Sequence, residues 1–253
     1  MRNIVMRVAY DGTRYLGWQK ISEALAKSTS IEGELERQLQ KILQSPIQLQ
    51  AASRTDRGVH AHGQVVNFLT EKPDIDLDRL HQSLRALLPS DICVLSVADA
   101  PNPAFHPTLD AKGKQYQYRI AYGKTLLPFH RFTHWHFFYP LDIEQMKLAA
   151  EVIKGTHDFA AFCNERREKN YTNTVRTVFD IEIRQHEEER LSILITGNNF
   201  LYKMARNIAG TLAYVGAGKM TIDQVASLFV DGTRASGAIT APACGLSLLH
   251  VHY

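Results

Sequence analysis

The segment from Arg54 to His60 is the part of the sequence best suited to chemistry. It reads Arg-Thr-Asp-Arg-Gly-Val-His, so Asp56 lies between Arg54 and Arg57 and two residues before Gly58. Guanidinium groups on both sides favour the ionised form of a carboxylate. An ionised carboxylate is a poor general acid but a usable nucleophile, and the same arginines attract a polyanion. The spacing indicates an enzyme that acts on nucleic acid; the alternative is a solvated ion-pair loop that contributes little to stability.

Alternating apolar and polar residues flank this segment. Residues 47–52 and 64–68 are each predicted to form a strand. Asp56 is therefore predicted to lie in a loop between two strands, a common place for catalytic groups. Gly58 can adopt the left-handed conformation and allow a ligand to approach the backbone closely.

A second segment, Lys112 to Arg119, alternates cationic or polar residues with aromatic ones. Because side chains of a strand alternate between its faces, Lys114, Tyr116 and Tyr118 share one face. A tyrosine beside lysines offers a stacking surface for a base next to phosphate contacts. We predict that Lys114 and Tyr116 bind RNA and that Tyr118 packs in the core.

Arg206 lies on a predicted helix that runs from Leu201 to about residue 214. Its apolar neighbours Met204 and Ile208 predict partial burial, and a buried arginine needs an acidic partner. The alternative for Arg206 is a surface charge.

Composition is that of an ordinary globular protein with a mild basic excess. The chain has 253 residues, 45% of them hydrophobic and 22% charged, with a formal net charge of +3. Three separated cysteines argue against a disulfide framework and fit a reducing compartment. No apolar run approaches the roughly 20 residues of a membrane helix, and the N-terminus does not resemble a signal peptide. We predict a cytoplasmic protein whose basic surface comes from local clusters such as Arg166, Arg167 and Lys169.

Strands and helices are mixed along the chain, which predicts an α+β fold. Pro101-Asn102-Pro103 is the best candidate boundary, giving an N-terminal half 1–104 and a C-terminal half 105–253 of similar pattern. The predicted helices are 31–44 with Ser30 as N-cap, 77–88 with Leu77, Leu80, Leu84, Leu87 and Leu88 inward, one after Asp142, 201–214, and 222–230 with Thr221 and Gln224 as a capping box.

Short motifs recur along nearly the whole chain. In order they are Tyr10-Asp11-Gly12-Thr13-x-Tyr15-x-Gly17-Trp18-Gln19, Arg54-Thr55-Asp56-x-Gly58-Val59-His60-Ala61, Phe105-His106-Pro107, Lys114-x-Tyr116-x-Tyr118, Gly155-x-x-Asp158-Phe159, Arg176-Thr177, Asn199-Phe200-Leu201-Tyr202-x-Met204-x-Arg206-Asn207-Ile208-x-Gly210 and Gly245-Leu246-x-Leu248. Taken together and in this order, they resemble the motifs of the TruA-type tRNA pseudouridine synthases. Two positions depart from that family's pattern: Arg57 replaces the usual small residue, and Ser53 replaces the usual glycine.

The resemblance implies a fold and a reaction. The expected fold has two similar halves with largely antiparallel strands joined into one extended sheet, helices on one side and an RNA-binding cleft between the halves. The expected enzyme is a homodimer that isomerises uridine to pseudouridine at positions 38, 39 and 40 of the tRNA anticodon stem-loop. It requires no metal and no cofactor.

The resemblance also implies roles for individual residues. Asp56 is the expected nucleophile, and Arg54 is expected to hold the site of the flipped-out uridine open. Tyr116 is expected to stack on the base, Arg206 to pair with the catalytic aspartate, and Leu246 to form an apolar wall of the pocket. Arg57 is expected to add a phosphate contact or to alter substrate placement.

Three other functions are compatible with parts of the sequence. A noncatalytic RNA-binding protein would use the basic and aromatic residues but leaves Asp56 unexplained. A metal-dependent hydrolase would use Asp56 with His60 and His62, whose spacing places both histidines on one face of a strand. A structural protein would need none of these motifs.

Overall fold

The computed structural model describes residues 1–20, 30–164, 171–187, 189–231 and 239–253. Grouped by proximity, the chain forms two compact units, one of residues 1–112 with 248–253 and the other of residues 113–247. The predicted halves 1–104 and 105–253 stay a prediction, and the basic cluster at Arg166, Arg167 and Lys169 lies outside the described residues.

The first unit is built around a long central strand with antiparallel partners on both sides. Strand β1 pairs with β3 on one side and β4 on the other, β2 pairs with β3, and β3 also borders β10. The elements are β1 Arg2–Tyr10, α1 Ile31–Leu43, β2 Gln50–Ala51, β3 His60–Thr70, α2 Leu77–Leu87, β4 Ile92–Asp99 and β10 Leu246–His252.

Local sequence explains most of these elements. Ser30 caps α1 as predicted, since its side chain accepts a hydrogen bond from the Gly33 N–H at 3.1 Å.

Two predictions for the first unit were wrong in extent. The strand predicted over 47–52 is paired only at Gln50–Ala51. Leu87 was predicted to face inward but is 48% exposed; on helix α2 the buried residues are Leu80 and Leu84.

The second unit has a four-stranded antiparallel arrangement in the order β5-β9-β8-β7, with the short β6 parallel to β5. Helix α3 packs against α4, α5 and β8. The elements are β5 Gly113–Tyr122, β6 Trp135–Phe137, α3 Ile143–Ile153, β7 Gly155–Asp158, β8 Val175–His186, β9 Arg190–Gly197, α4 Met204–Gly216 and α5 Ile222–Asp231.

The starts of helices α4 and α5 are each determined by a few local residues. Helix α4 begins at Met204 rather than at the predicted Leu201, because Lys203 adopts a left-handed conformation with φ of 61°. The predicted capping box of α5 is confirmed by reciprocal hydrogen bonds between Thr221 and Gln224, at 2.9 and 3.2 Å. The α+β class and the largely antiparallel pairing are confirmed, and within the described ranges no helix is long and apolar enough to cross a membrane.

Two leucines on α2 provide a matched test of this packing. Leu84 is fully buried, whereas Leu87 is 48% exposed. Truncation of a buried leucine leaves a cavity, so Leu84→Ala should lower the free energy of unfolding by about 2–5 kcal/mol. Leu87→Ala should cost about 0.5 kcal/mol or less. Urea unfolding measures both, and equal losses would contradict the observed orientation of α2.

Candidate active site

Asp56 lies in the loop of residues 52–59 between β2 and β3, as predicted; this segment is called the Asp56 loop below. The loop contains a tight turn in which the Val59 N–H donates to the Asp56 carbonyl at 3.1 Å. Gly58 adopts a left-handed conformation with φ of 79°, which favours glycine. Asp56 is half-buried, while Arg54 and Arg57 are exposed, so the loop presents one partly sheltered carboxylate between two solvent-facing guanidinium groups.

One backbone hydrogen bond and one bond to a side chain hold the chain on both sides of Asp56. The contacts come from residues 11–18, which follow β1 and are called the first-strand loop. The Trp18 N–H donates to the Thr55 carbonyl at 3.0 Å, and the Gly12 N–H donates to His60 Nδ1 at 3.2 Å. Asp56 therefore lies between two anchored positions and not on a loop that is free at either end.

Two glycines of the first-strand loop allow this contact. A Cβ atom on Gly12 would lie 2.0 Å from the Val59 carbonyl oxygen, and one on Gly17 would lie 2.7 Å from the Thr55 carbonyl oxygen. Gly17 also has φ of 104°. Any side chain at either position would push the two loops apart, because the obstructing atoms belong to the backbone.

Glu32 in the first turn of α1 adds a charge beside this assembly. Its carboxylate accepts a hydrogen bond from the Lys20 N–H at 2.7 Å and another from the Trp18 side chain. Burial raises the pKa of Glu32, and the positive charge of Arg54 opposes that rise. Arg54 is thus electrostatically coupled to the helix that supports the first-strand loop.

Ser53, one of the two departures from the family pattern, is held through its backbone. The Ser53 N–H donates to Gln64 Oε1 at 3.2 Å, and Gln64 Nε2 donates to the Ser53 carbonyl at 2.6 Å. Gln64 itself is fully buried on β3. The start of the Asp56 loop is therefore held by two hydrogen bonds that use the backbone of residue 53 and not its side chain.

The two histidines of the metal-site alternative are in different environments. His60 is buried, and its Nδ1 lies 3.1 Å from Asp11 Oδ1, whereas His62 is exposed. Within the part of the chain that the structure describes, no group of three or more His, Cys, Asp or Glu side chains is placed to hold a metal ion. The observed role of His60 is to join β3 to the first-strand loop.

The second unit brings Arg206 and Leu246 to the same region around Tyr118. Tyr118 is fully buried, donates to the Pro242 carbonyl at 2.7 Å, and has a pKa raised well above its ordinary value by burial. The positive charge of Arg206 opposes the rise in the pKa of Tyr118. Arg206 is half-buried, as its apolar neighbours predicted, and its Nε donates to the Ala241 carbonyl at 2.7 Å. Leu246 is also buried, and it follows closely after Ala241 and Pro242, whose carbonyls accept the hydrogen bonds from Arg206 and Tyr118.

The side chains of Lys114 and Tyr116 are buried, in contrast to those of an exposed binding surface. Tyr116 is 5% exposed and meets Phe200 edge to face, with ring centroids 4.9 Å apart. Lys114 is also 5% exposed, and its Nζ donates to Asn199 Oδ1 at 3.2 Å. Tyr118 packs in the core as predicted. The binding roles of Lys114 and Tyr116 stay predictions.

The buried ammonium group of Lys114 has a consequence for stability. Burial lowers the pKa of Lys114 to about 8 from its ordinary value of 10.5. Between these values the unfolded chain binds more protons than the folded chain, so this residue makes the free energy of unfolding rise with pH. Relative to a Lys114→Met variant, the wild-type protein should gain stability from pH 8 to pH 10 in urea unfolding. A difference that stays constant across this range would show that the ammonium group is solvated.

Several residues of this assembly were not assigned a role from the sequence. Gly12, Gly17 and Trp18 belong to a motif that was matched by resemblance alone, and Glu32, in the first turn of α1, was not among the predicted site residues. The available signal was the pair of glycines five residues apart in a loop with Trp18, because glycine often marks close backbone approach.

Comparisons with known proteins cover almost all of the chain. The profile of a family described as tRNA pseudouridine synthase matches residues 6–110 and 149–253. The chain is 46% identical over 253 residues to tRNA pseudouridine synthase A 2 of Protochlamydia amoebophila, covering 100% of this chain and 95% of that protein. It is 42% identical to tRNA pseudouridine synthase A of a Thermoanaerobacter species, covering 100% of both chains. It is 40% identical to the enzyme of that name from Chlamydia muridarum, covering 100% of this chain and 92% of that one.

Proposed function

The chain belongs to the tRNA pseudouridine synthase family, and on that premise we propose that it isomerises uridines of the anticodon stem-loop with Asp56 as nucleophile. It is an isomerase that forms pseudouridine in tRNA, and the proposed targets are positions 38, 39 and 40. The observation that carries the assignment of Asp56 is its placement on a loop anchored on both sides, between two exposed arginines.

The reaction fits a site that presents one carboxylate as nucleophile. The carboxylate attacks the target uridine, and the glycosidic bond between N1 and the sugar breaks. The uracil then turns and bonds to the sugar through carbon five, which loses its proton while N1 gains one, and the carboxylate is released unchanged. The product is an isomer of the substrate, so the net change requires neither water nor an electron acceptor. The uridine must first leave its stack, which costs a few kcal/mol and favours loops and the ends of stems.

The other site residues are assigned to holding the substrate and the nucleophile. Arg54 keeps the flipped-out site open. Tyr116 stacks on the base, Leu246 forms the apolar wall, and Arg206 stabilises the ionised nucleophile. Lys114 contributes positive charge near Tyr116.

The wider setting of the enzyme is also part of this proposal. It acts in the cytoplasm as a homodimer that shares one tRNA between its subunits, and it uses no metal and no cofactor. Metal independence is checked by measuring the rate after exhaustive chelation, with tRNA folding controlled separately.

The nucleophile is tested by Asp56→Asn, which nearly preserves size but removes the charge and the nucleophilic oxygen. The variant should retain the wild-type melting temperature and bind tRNA, while formation of pseudouridine becomes undetectable. Chemical mapping of pseudouridine in tRNA provides the measurement. Turnover by a homogeneous Asp56→Asn preparation would refute the assignment. A wild-type protein that binds tRNA without forming pseudouridine would favour the noncatalytic RNA-binding alternative.

Arg57 tests the electrostatic part of the proposal, because the family pattern has a small residue there. Arg57→Ala removes one proposed phosphate contact. It should weaken tRNA binding and make the slope of log affinity against log salt shallower by about one. The saturating rate of Arg57→Ala should stay near that of the wild type, since Asp56 is unchanged. Arg85→Ala, which removes an exposed arginine on α2, is the control. An unchanged slope with a collapsed saturating rate would place Arg57 in the chemical step.

A further inference from the structure

Two buried hydroxyl groups meet directly beside the proposed nucleophile. The Tyr10 hydroxyl, at the end of β1, lies 2.8 Å from Thr55 Oγ1, and the two residues are 5% and 7% exposed. Thr55 immediately precedes Asp56. A buried hydroxyl that loses its partner is costly, so each group constrains the position of the other.

This side-chain contact acts on a residue whose backbone is already held. The Thr55 carbonyl accepts the hydrogen bond from the Trp18 N–H, and the rings of Tyr10 and Trp18 lie with centroids 6.2 Å apart. The carbonyl bond fixes the position of the Thr55–Asp56 peptide, and the hydroxyl bond fixes the side chain of Thr55. Together they limit rotation of the chain at the point where the Asp56 side chain departs.

We propose that Tyr10 is a positioning residue for catalysis, which acts through the Thr55 hydroxyl to aim the Asp56 carboxylate at the uridine. This inference rests on the proposed function of Asp56. Attack by a nucleophile depends steeply on geometry, because a misplacement of about 1 Å can cost about a hundredfold in rate. Tyr10 makes no contact with the substrate in this proposal; it changes where the nucleophile lies.

The structure offers a closely matched control. Tyr15 is also 5% exposed, lies in the first-strand loop, and donates its hydroxyl hydrogen bond to Asp91 Oδ1 at 2.6 Å. Tyr10→Phe and Tyr15→Phe therefore remove the same atom from buried tyrosines of one region. Only the first change removes a partner from the Asp56 loop.

The experiment compares single-turnover rates at saturating tRNA with tRNA affinities, below the melting temperature of every variant. Tyr10→Phe should lower the saturating rate about tenfold or more with affinity within about twofold of the wild type, since an effect on positioning falls on the chemical step. Tyr15→Phe should lose far less rate, even where its melting temperature falls as much. An equal loss of rate in both variants would reduce Tyr10 to a structural role.

Substitutions at Thr55 test whether the effect passes through its hydroxyl. Thr55→Val should reproduce the loss of Tyr10→Phe, and the double variant should lose no more than either single one. Thr55→Ser keeps a hydroxyl and should restore most of the rate. Additive losses would overturn the proposal. Turnover by Asp56→Asn would refute the proposed nucleophile itself, whereas an inactive Asp56→Asn with an unaffected Tyr10→Phe would refute only the present inference.

Discussion

The close backbone contact between the first-strand loop and the Asp56 loop is the constraint on which the proposed active site depends. Two hydrogen bonds, from Trp18 to Thr55 and from Gly12 to His60, hold the segment on either side of the aspartate. The contact exists only because Gly12 and Gly17 have no side chain. A loop held in this way can present a carboxylate in a fixed position, and preorganised geometry is what nucleophilic attack requires.

The strands and helix of the first unit place those two loops beside each other. Strand β1 pairs with β3 on one side and, from Ile4 onward, with β4 on the other. Its last residue, Tyr10, pairs with Ala61 and therefore lies beside the start of β3. Helix α1 begins where the Ile31 and Glu32 N–H groups bond to the carbonyls of Gly17 and Trp18. The first-strand loop is therefore fixed by the central strand before it and by α1 alongside it.

The sequence predicted what depends on local pattern and missed what depends on contacts between distant segments. Capping residues such as Ser30 and Thr221 were identified because a cap is determined within four residues. The start of α4 was placed three residues early, since the left-handed Lys203 has no sequence signal. The loop position of Asp56 was predicted from its neighbours. Tyr10 and Thr55, in contrast, are separated by 45 positions and meet only in the folded strand arrangement. Burial of Lys114 was missed because alternation assigns a residue to a face and not to a depth.

The most direct test of this account maps pseudouridine in tRNA after incubation with the wild-type protein and with Gly12→Ala, which keeps Asp56 but places a Cβ atom against the Val59 carbonyl. The account predicts new pseudouridine at positions 38, 39 and 40 with the wild-type protein. It predicts a folded Gly12→Ala protein that still binds tRNA but forms far less of the product. Equal product from both proteins, or pseudouridine only outside the anticodon stem-loop, would contradict it.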